Sequence, residues 1–300
     1  MATLQIVEAA ARVDAGMARM LDALPTGAPV AVLVHGFKFR SADPARDPHV
    51  QLYGAPAPAA ARRCAHWPRA LGFSAEDPGD GLCLGFGWDG FAAHLPSFAR
   101  ARRNGFALAY ERAAEAGERL AALVAAIRAR RPDLEVDLFA HSLGARVALT
   151  AAPAGAARLI LLGAAEDAGT AARLHEAAPE AEVFHVAARH NDLFDLMFEA
   201  AAARRAGRRA VALGCAGLGR GRERWVDLQL DSPALAAWLA PRGVDLDPRT
   251  PAVCHWSFYA RPGAMALYRA VLRDRAAWSI PALRAAGAPE GLAPRWSRLA

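Results

Sequence analysis

Short apolar runs alternate with longer amphipathic stretches along most of this chain. The runs at residues 30–34 (VAVLV) and 82–86 (LCLGF) contain no charged residue, which is typical of strands covered on both faces. Alternation of such strands with helices predicts an α/β fold, with a mostly parallel central sheet and helices on both faces. Further strands are predicted at 135–140, 159–162, 183–187 and 225–230, the last at an edge, and helices at 105–131, 143–152, 167–178, 192–205 and 263–273.

Two stretches interrupt this alternation, at about 38–81 and 207–254. The first is rich in proline and alanine, and the second begins with glycine and arginine. Long connections inside a compact domain are usually functional covers or carry small helices. We therefore expect a single domain over residues 1–300 with cover insertions at these two places. Six aromatic residues in these stretches or just after them are candidates for an apolar pocket: Tyr53, Trp67, Phe73, Trp225, Trp238 and Trp256.

Composition excludes several classes of protein. With 54% hydrophobic and 22% charged residues, the 300-residue chain can bury a sizeable core, so it is not a disordered tail. The net charge is +6, but Lys38 is the only lysine among 36 basic residues, and the arginines do not cluster with aromatics as in a nucleic-acid protein. Four scattered cysteines without a C-x-x-C pair argue against a zinc site. Neither a signal-peptide pattern nor a membrane-length apolar run is present, so we expect a cytoplasmic protein without a membrane span.

The candidate nucleophile is Ser142. The predicted strand at 135–140 runs directly into Ala140-His141-Ser142-Leu143-Gly144 and then into a predicted helix. This is the strand–turn–helix context of a G-x-S-x-G nucleophile elbow, with Ala140 in place of the first glycine. A serine hydroxyl needs a base to remove its proton. At the start of a helix, the N–H of Leu143 is free to stabilise a developing oxyanion.

These residues resemble those of the α/β-hydrolase superfamily over roughly residues 29–275. The resemblance includes His35-Gly36-Phe37 after the first clear strand, and the A-H-S-L-G sequence is similar to that of some bacterial lipases and esterases. It implies an α/β-hydrolase fold, and it implies that the backbone N–H of Phe37 is the second oxyanion donor. His35 would then be structural, with its ring packed against the loop.

The base follows from the family's order of serine, acid and histidine. Of the histidines after Ser142, His175 falls in a predicted helix, His185 in a predicted strand, and His190 before the best acid candidates. This leaves His255, in a predicted loop just before the helix at 263–273.

The acid is expected after the strand at 183–187. Asp192 at the strand-to-helix turn is the first choice, and Asp195, one turn later, is the second. Glu166 or Asp167, after the preceding strand, is a third option. The acid would hold the imidazole tautomer and stabilise its charged form.

The resulting hypothesis is a serine hydrolase that cleaves carboxylic esters or thioesters through an acyl-enzyme on Ser142. It implies a small-molecule substrate, no nucleic-acid partner, and neither a metal ion nor an organic cofactor. Two alternatives stay open: an acyltransferase that uses the same triad with an alcohol acceptor, and a non-catalytic binding protein of this fold. Acyl length, leaving group and oligomeric state are not indicated by the sequence.

Overall fold

The computed structural model describes residues 3–7, 12–54, 66–74, 77–92, 105–206 and 209–297. Parts of the predicted cover insertions, at 55–65, 75–76 and 207–208, lie outside these residues. The described ranges contain a seven-stranded sheet. Its strands are β1 (Thr3–Val7), β2 (Val30–Val34), β3 (Leu82–Gly87), β4 (Val136–His141), β5 (Ala156–Leu162), β6 (Glu182–Ala187) and β7 (Trp225–Gln229).

Every strand pairs in parallel with its neighbours, in the order β1-β3-β2-β4-β5-β6-β7. Strands β2 to β7 are buried almost along their whole length, which explains their apolar sequences. Alternate residues of one strand face opposite layers, so Val32 and Leu33 belong to different hydrophobic cores.

Helices cover both faces of the sheet. The helices are α1 (Ala15–Asp22), α2 (Trp67–Ala70), α3 (Gly105–Arg130), α4 (Gly144–Ala151), α5 (Ala168–Glu176), α6 (Asp192–Ala206), α7 (Leu213–Ala216), α8 (Pro233–Leu239), α9 (Ser257–Ala260), α10 (Ala264–Arg273) and α11 (Ile280–Ala285). One core holds apolar residues of α1, α3, α4, α5 and α6, and the other holds those of α2, α8, α10 and α11. The predicted α/β fold, with a parallel sheet between two helical layers, is confirmed. That this sheet is the one of the α/β-hydrolase superfamily stays a prediction.

The predicted elements are all present, with ends shifted by up to three residues. The helix at 105–131 ends at Arg130, just before Pro132, and the strand at 225–230 is the edge strand β7. Two elements at the amino terminus, β1 and α1, and five short helices were not predicted. The helix at 263–273 is α10, and it is followed by α11.

The order of the strands places a topological switch point at the carboxyl ends of β2 and β4. The chain leaves β2 toward β3 on one side, whereas β4 leads to β5, β6 and β7 on the other. Ligands of open α/β sheets bind at such switch points. Since Val34 pairs with Ala140, the segment after β2 (His35-Gly36-Phe37) lies beside the segment after β4 (His141-Ser142-Leu143).

The described residues that follow β2 pack on the sheet rather than standing away from it. A turn at His49–Tyr53 lies over the glycines of β3: a Cβ on Gly85 would lie 2.6 Å from Tyr53, and one on Gly87 would lie 2.7 Å from His49. Within the described ranges, every helix is too short or too polar to span a lipid bilayer.

Candidate active site

Ser142 occupies a sharp turn between β4 and α4. Its φ of 57° is in the left-handed region, which costs a non-glycine residue about 1 kcal/mol. The turn is held by hydrogen bonds from its N–H to the carbonyl of Leu162 (2.9 Å) and to its own carbonyl from the N–H groups of Ala145 and Ala165 (both 3.0 Å). Two adjacent strands and a helix thus impose this strained conformation, as in a nucleophile elbow.

Two glycines allow the elbow to approach the end of β2. A Cβ on Gly144 would lie 2.5 Å from the carbonyl oxygen of His35, so any larger residue would push α4 away. A Cβ on Gly36 would lie 2.7 Å from the Cβ of Ser142 and 3.3 Å from its Oγ. The backbone of the His35-Gly36-Phe37 segment therefore lies directly against the serine side chain.

A hydrogen-bond network braces this segment. His35 Nε2 accepts a hydrogen bond from the N–H of Trp88 (3.0 Å), and the indole N–H of Trp88 donates to the carbonyl of His35 (3.0 Å). The N–H of Lys38 donates to the carbonyl of Gly90 (3.0 Å). Burial lowers the pKa of His35 to about 3, so its ring stays neutral. The contacts agree with the predicted structural role of His35.

The two predicted oxyanion donors lie on either side of Ser142. Leu143 precedes the first residue of α4, and its N–H has no hydrogen-bond partner among the described residues. Phe37 follows Gly36 in the segment that touches Ser142. Their joint role in holding an oxyanion stays a prediction.

His255 contacts His141, the residue that precedes Ser142. His141 Nε2 donates to the carbonyl of His255 (2.9 Å), and the centroids of the two rings are 4.6 Å apart. The loop is further held by the N–H of Cys254, which donates to the carbonyl of His190 (2.9 Å). The other side of the His255 ring stacks on Phe194, at 4.7 Å between centroids. No hydrogen bond joins Ser142 Oγ to a described residue; such contacts often tighten only with substrate.

The partner of the His255 ring is Asn191, not Asp192. His255 Nδ1 lies 2.7 Å from Asn191 Oδ1. Asn191 is the last residue of the short turn Arg189–Asn191, which precedes α6. Since an amide oxygen only accepts, Nδ1 carries the proton and donates it, which leaves the lone pair on Nε2. This is the tautomer that a general base needs.

Asp192 points elsewhere, so the predicted contact between Asp192 and His255 is not met. Its Oδ2 accepts a hydrogen bond from the N–H of Trp296 (2.7 Å), and its Oδ1 lies 3.2 Å from a guanidinium nitrogen of Arg189. Asp192 is the first residue of α6, and one step along a helix rotates the side-chain direction by about 100°. The side chains of Asn191 and Asp192 therefore point in different directions, and only that of Asn191 faces His255.

The other acid candidates do not touch His255 either. Asp195 contacts Asn191 instead: Nδ2 of the amide donates to Asp195 Oδ1 (3.0 Å). Glu166 is fully buried and pairs with Arg146 (2.8 Å). Asp167 caps α5 by accepting from the N–H of Thr170 (3.0 Å). A chain of hydrogen bonds therefore runs from His255 through Asn191 to Asp195.

The environment of His255 keeps its ring neutral. Burial lowers its pKa well below the usual range, and the nearby rings of His141 and His190 and the Lys38 ammonium lower it further. A direct carboxylate partner would oppose this shift, but the neutral amide of Asn191 does not. At neutral pH the ring can therefore accept a proton.

Apolar side chains lie next to the segment after β2 and next to His255. Phe37 packs edge-on against Phe106 (5.5 Å between centroids), which in turn packs against Phe198 (5.9 Å). Near His255, exposed apolar side chains are present on α6 and the adjoining loop: Leu193, Leu196, Met197, Val253 and Trp256.

Of the six aromatic residues predicted to line a pocket, only Trp256 is exposed beside the site. Tyr53, Trp67, Phe73 and Trp225 are core residues, and Trp238 packs against Trp278. They fill the two cores because each large ring buries more apolar area there than at a surface.

Sequence reasoning missed Asn191 and the structural role of His141. Asn191 directly precedes the first-choice acid, and His141 is part of the A-H-S-L-G sequence. Asn191 was overlooked because only carboxylates were considered as partners for the histidine. Its position at the end of a predicted strand, next to the first-choice acid, was the available signal.

Comparisons with known proteins add little to this geometry. No family model matches the chain, and no curated protein matches it. Among solved structures, the chain is similar to TT1662 from Thermus thermophilus, with 15% identity and a TM-score of 0.36, over 69% of this chain and 81% of that one. What is known of the chemistry of the site therefore comes from Ser142 and its neighbours.

Proposed function

We propose that this protein is a serine hydrolase that cleaves carboxylic esters or thioesters through an acyl-enzyme on Ser142. The observation that carries the proposal is the strained turn at Ser142, with φ of 57°, beside a histidine held in the base-competent tautomer. Strain of this kind persists where the surrounding structure imposes it, and it is concentrated at functional sites.

The proposed reaction has two stages. Ser142 Oγ attacks the carbonyl carbon while His255 Nε2 takes the hydroxyl proton, and the carbonyl oxygen becomes an oxyanion held by the N–H groups of Leu143 and Phe37. His255 then returns the proton to the leaving alcohol or thiol as the bond to it breaks. In the second stage a water molecule gives a proton to His255 and attacks the acyl carbon, and His255 returns that proton to Ser142 Oγ as the bond between Oγ and the acyl carbon breaks.

Asn191 takes the orienting role in this proposal. Its amide oxygen holds the Nδ1 proton of His255, as the carboxylate does in a Ser-His-Asp triad, but without a negative charge to stabilise the imidazolium. The base is consequently weaker, and the contribution of the orienting residue is smaller, than in a carboxylate triad.

The rings around the site favour a substrate with an apolar acyl or leaving group. Phe37 and Phe106 lie on the oxyanion side, and Phe194 and Trp256 lie on the histidine side. A charged acyl group would lose hydration against these rings without gaining a counter-charge from them.

The test is ester hydrolysis by the Ser142→Ala variant, measured with aryl esters of increasing acyl length. We expect kcat to fall by about 10³-fold or more, because the members of a triad act as a unit. Ser232→Ala is the matched control, because it also replaces a serine by alanine but removes only the N-cap of α8. It should keep full activity per folded molecule. Near-wild-type turnover by folded Ser142→Ala would refute the proposal.

A further inference from the structure

We infer that Asp195 is a positioning residue that acts through the Asn191 amide, so that its ionised carboxylate selects the His255 tautomer able to accept the Ser142 proton. This inference rests on the proposed function, because it assigns a role within the same site. It goes beyond a triad, since the carboxylate acts on the base through an intervening amide.

The hydrogen bonds define the chain. His255 Nδ1 to Asn191 Oδ1 is 2.7 Å, and Asn191 Nδ2 to Asp195 Oδ1 is 3.0 Å. Asn191 and Asp195 are 2% and 3% exposed, so water does not compete for these groups. Asp195 Oδ2 has no hydrogen-bond partner among the described residues. The carboxylate therefore binds the Asn191 amide through Oδ1 alone.

The direction of the amide decides the tautomer. An ionised carboxylate only accepts hydrogen bonds, so it holds the NH₂ group of Asn191 toward itself and leaves the amide oxygen for His255. A protonated Asp195 can donate to that oxygen, which allows the amide to rotate and present NH₂ to the ring. His255 would then have to accept at Nδ1 and carry its proton on Nε2, where it cannot take the proton of Ser142.

Charges around Asp195 place its ionisation in the working range. Burial raises the pKa of Asp195 to about 7; Asp192 and Glu199 add to this rise, while Arg189 and Arg295 oppose it. These charged groups belong to three segments of the chain. Arg189 lies in the turn before α6, Asp192 and Glu199 lie in α6, and Arg295 lies in the carboxyl-terminal segment. Gly214 of α7 closes the fourth side, where a Cβ would lie 2.7 Å from Asp195 Oδ2.

The same charges give the inference a signature in the pH profile of kcat/KM. Wild-type activity should rise with pH through a limb near pH 7, because Asp195 must ionise. Asp195→Asn keeps an acceptor for Asn191 but cannot titrate, so this limb should vanish, leaving only the His255 limb at a pH below 6.5. Above pH 8, the variant should lose about 10-fold in activity, the equivalent of one hydrogen bond to a charged group.

Two neighbouring variants should move the limb in opposite directions. Asp192→Asn removes a negative charge and should move it to lower pH, whereas Arg295→Gln removes a positive charge, frees Glu199 from its ion pair, and should move it to higher pH. Lost stability alone would not shift the limb in opposite senses. A limb that stays at its wild-type pH in Asp195→Asn would overturn the inference.

A second readout does not depend on activity. Nitrogen-15 NMR of labelled protein, with the His255 signals assigned from His255→Gln, reports which ring nitrogen carries the proton. We expect the Nε2–H tautomer to grow in the wild type as pH falls through 7, and to be independent of pH in this range in Asp195→Asn. An unchanged titration of the tautomer in that variant would overturn the inference, while a wild type that hydrolyses no ester would overturn the proposed function instead.

Discussion

Replacement of Asn191 by alanine separates the observed site from a carboxylate triad. The variant removes the acceptor of the His255 Nδ1 proton, at 2.7 Å, and leaves Ser142 and both oxyanion donors in place. The ring loses the contact that selects its tautomer and the contact that stabilises it when it becomes charged in the transition state. Both losses lower kcat/KM.

The size of the loss follows from the neutral charge of the amide. A hydrogen bond to a group that becomes charged is worth about 1.5–3 kcal/mol, which corresponds to about 10- to 150-fold in rate. Loss of the carboxylate of a Ser-His-Asp triad costs about 10⁴-fold. We therefore expect Asn191→Ala to reduce kcat/KM by the smaller factor.

The assay is aryl-ester hydrolysis at about pH 8.5, above the Asp195 ionisation, with Asp192→Asn as the control. Asp192 is as buried as Asn191 and adjoins it, but it contacts Arg189 and Trp296, so this variant should keep activity within about three-fold at that pH. Unfolding temperatures are measured in parallel, because Asn191→Ala also leaves Asp195 without its hydrogen bond. If Asn191→Ala keeps the wild-type rate and Asp192→Asn loses about 10⁴-fold, Asp192 is the acid of the triad and the assignment of Asn191 is wrong.

Three further variants test other contacts of the site. Gly36→Ala should lower kcat by on the order of 10²-fold, since its Cβ would lie 2.7 Å from that of Ser142; single-turnover kinetics would show whether the acylation step is the one affected. Glu166→Gln should lower the unfolding temperature by several degrees, because it breaks a buried ion pair, while kcat stays within about three-fold; a 10⁴-fold loss would make Glu166 the acid. His141→Phe keeps a ring but loses the hydrogen bond to the carbonyl of His255, and kcat should fall by about 10-fold with the fold intact by circular dichroism.

The sequence was sufficient to predict most of the sheet. Strands β2 and β3 are buried on both faces and have continuous apolar sequences, and β4 to β6 are mostly apolar with a few buried polar residues such as Asp137, Arg158 and His185. The first strand (TLQIV) was missed because it is short, contains a polar residue and lies at an edge, where burial imposes no strict pattern. The short helices were missed because fewer than two turns show no periodicity.

The elbow was predictable because its constraints are local. A strand, a turn with small residues and a helix follow one another in sequence, and the structure has Ser142 at positive φ between β4 and α4. The partner of His255 was not predictable in the same way, since it depends on the rotation of one turn before α6. A shift of one residue in the start of the helix would decide whether Asn191 or Asp192 faces the ring. Sequence patterns do not locate the start of a helix to within one residue.

The aromatic residues show a second limit of the sequence. Large rings in the long segments fit equally well in a pocket or in a core, because both environments are apolar. Only the arrangement of the layers shows that Trp67 and Trp225 are fully buried, whereas Trp256 is 43% exposed beside His255. The fold, and not the sequence pattern, therefore decides which of these rings are exposed.

The most direct test of the central claim is covalent labelling of Ser142 by a fluorophosphonate, followed by peptide mass spectrometry. We predict one adduct per chain on Ser142, formed rapidly in the wild type, slowly in His255→Gln, and not at all in Ser142→Ala. Such labelling would also exclude the non-catalytic alternative. A folded wild-type protein that leaves Ser142 unmodified, or that is labelled equally fast without His255, would contradict the account.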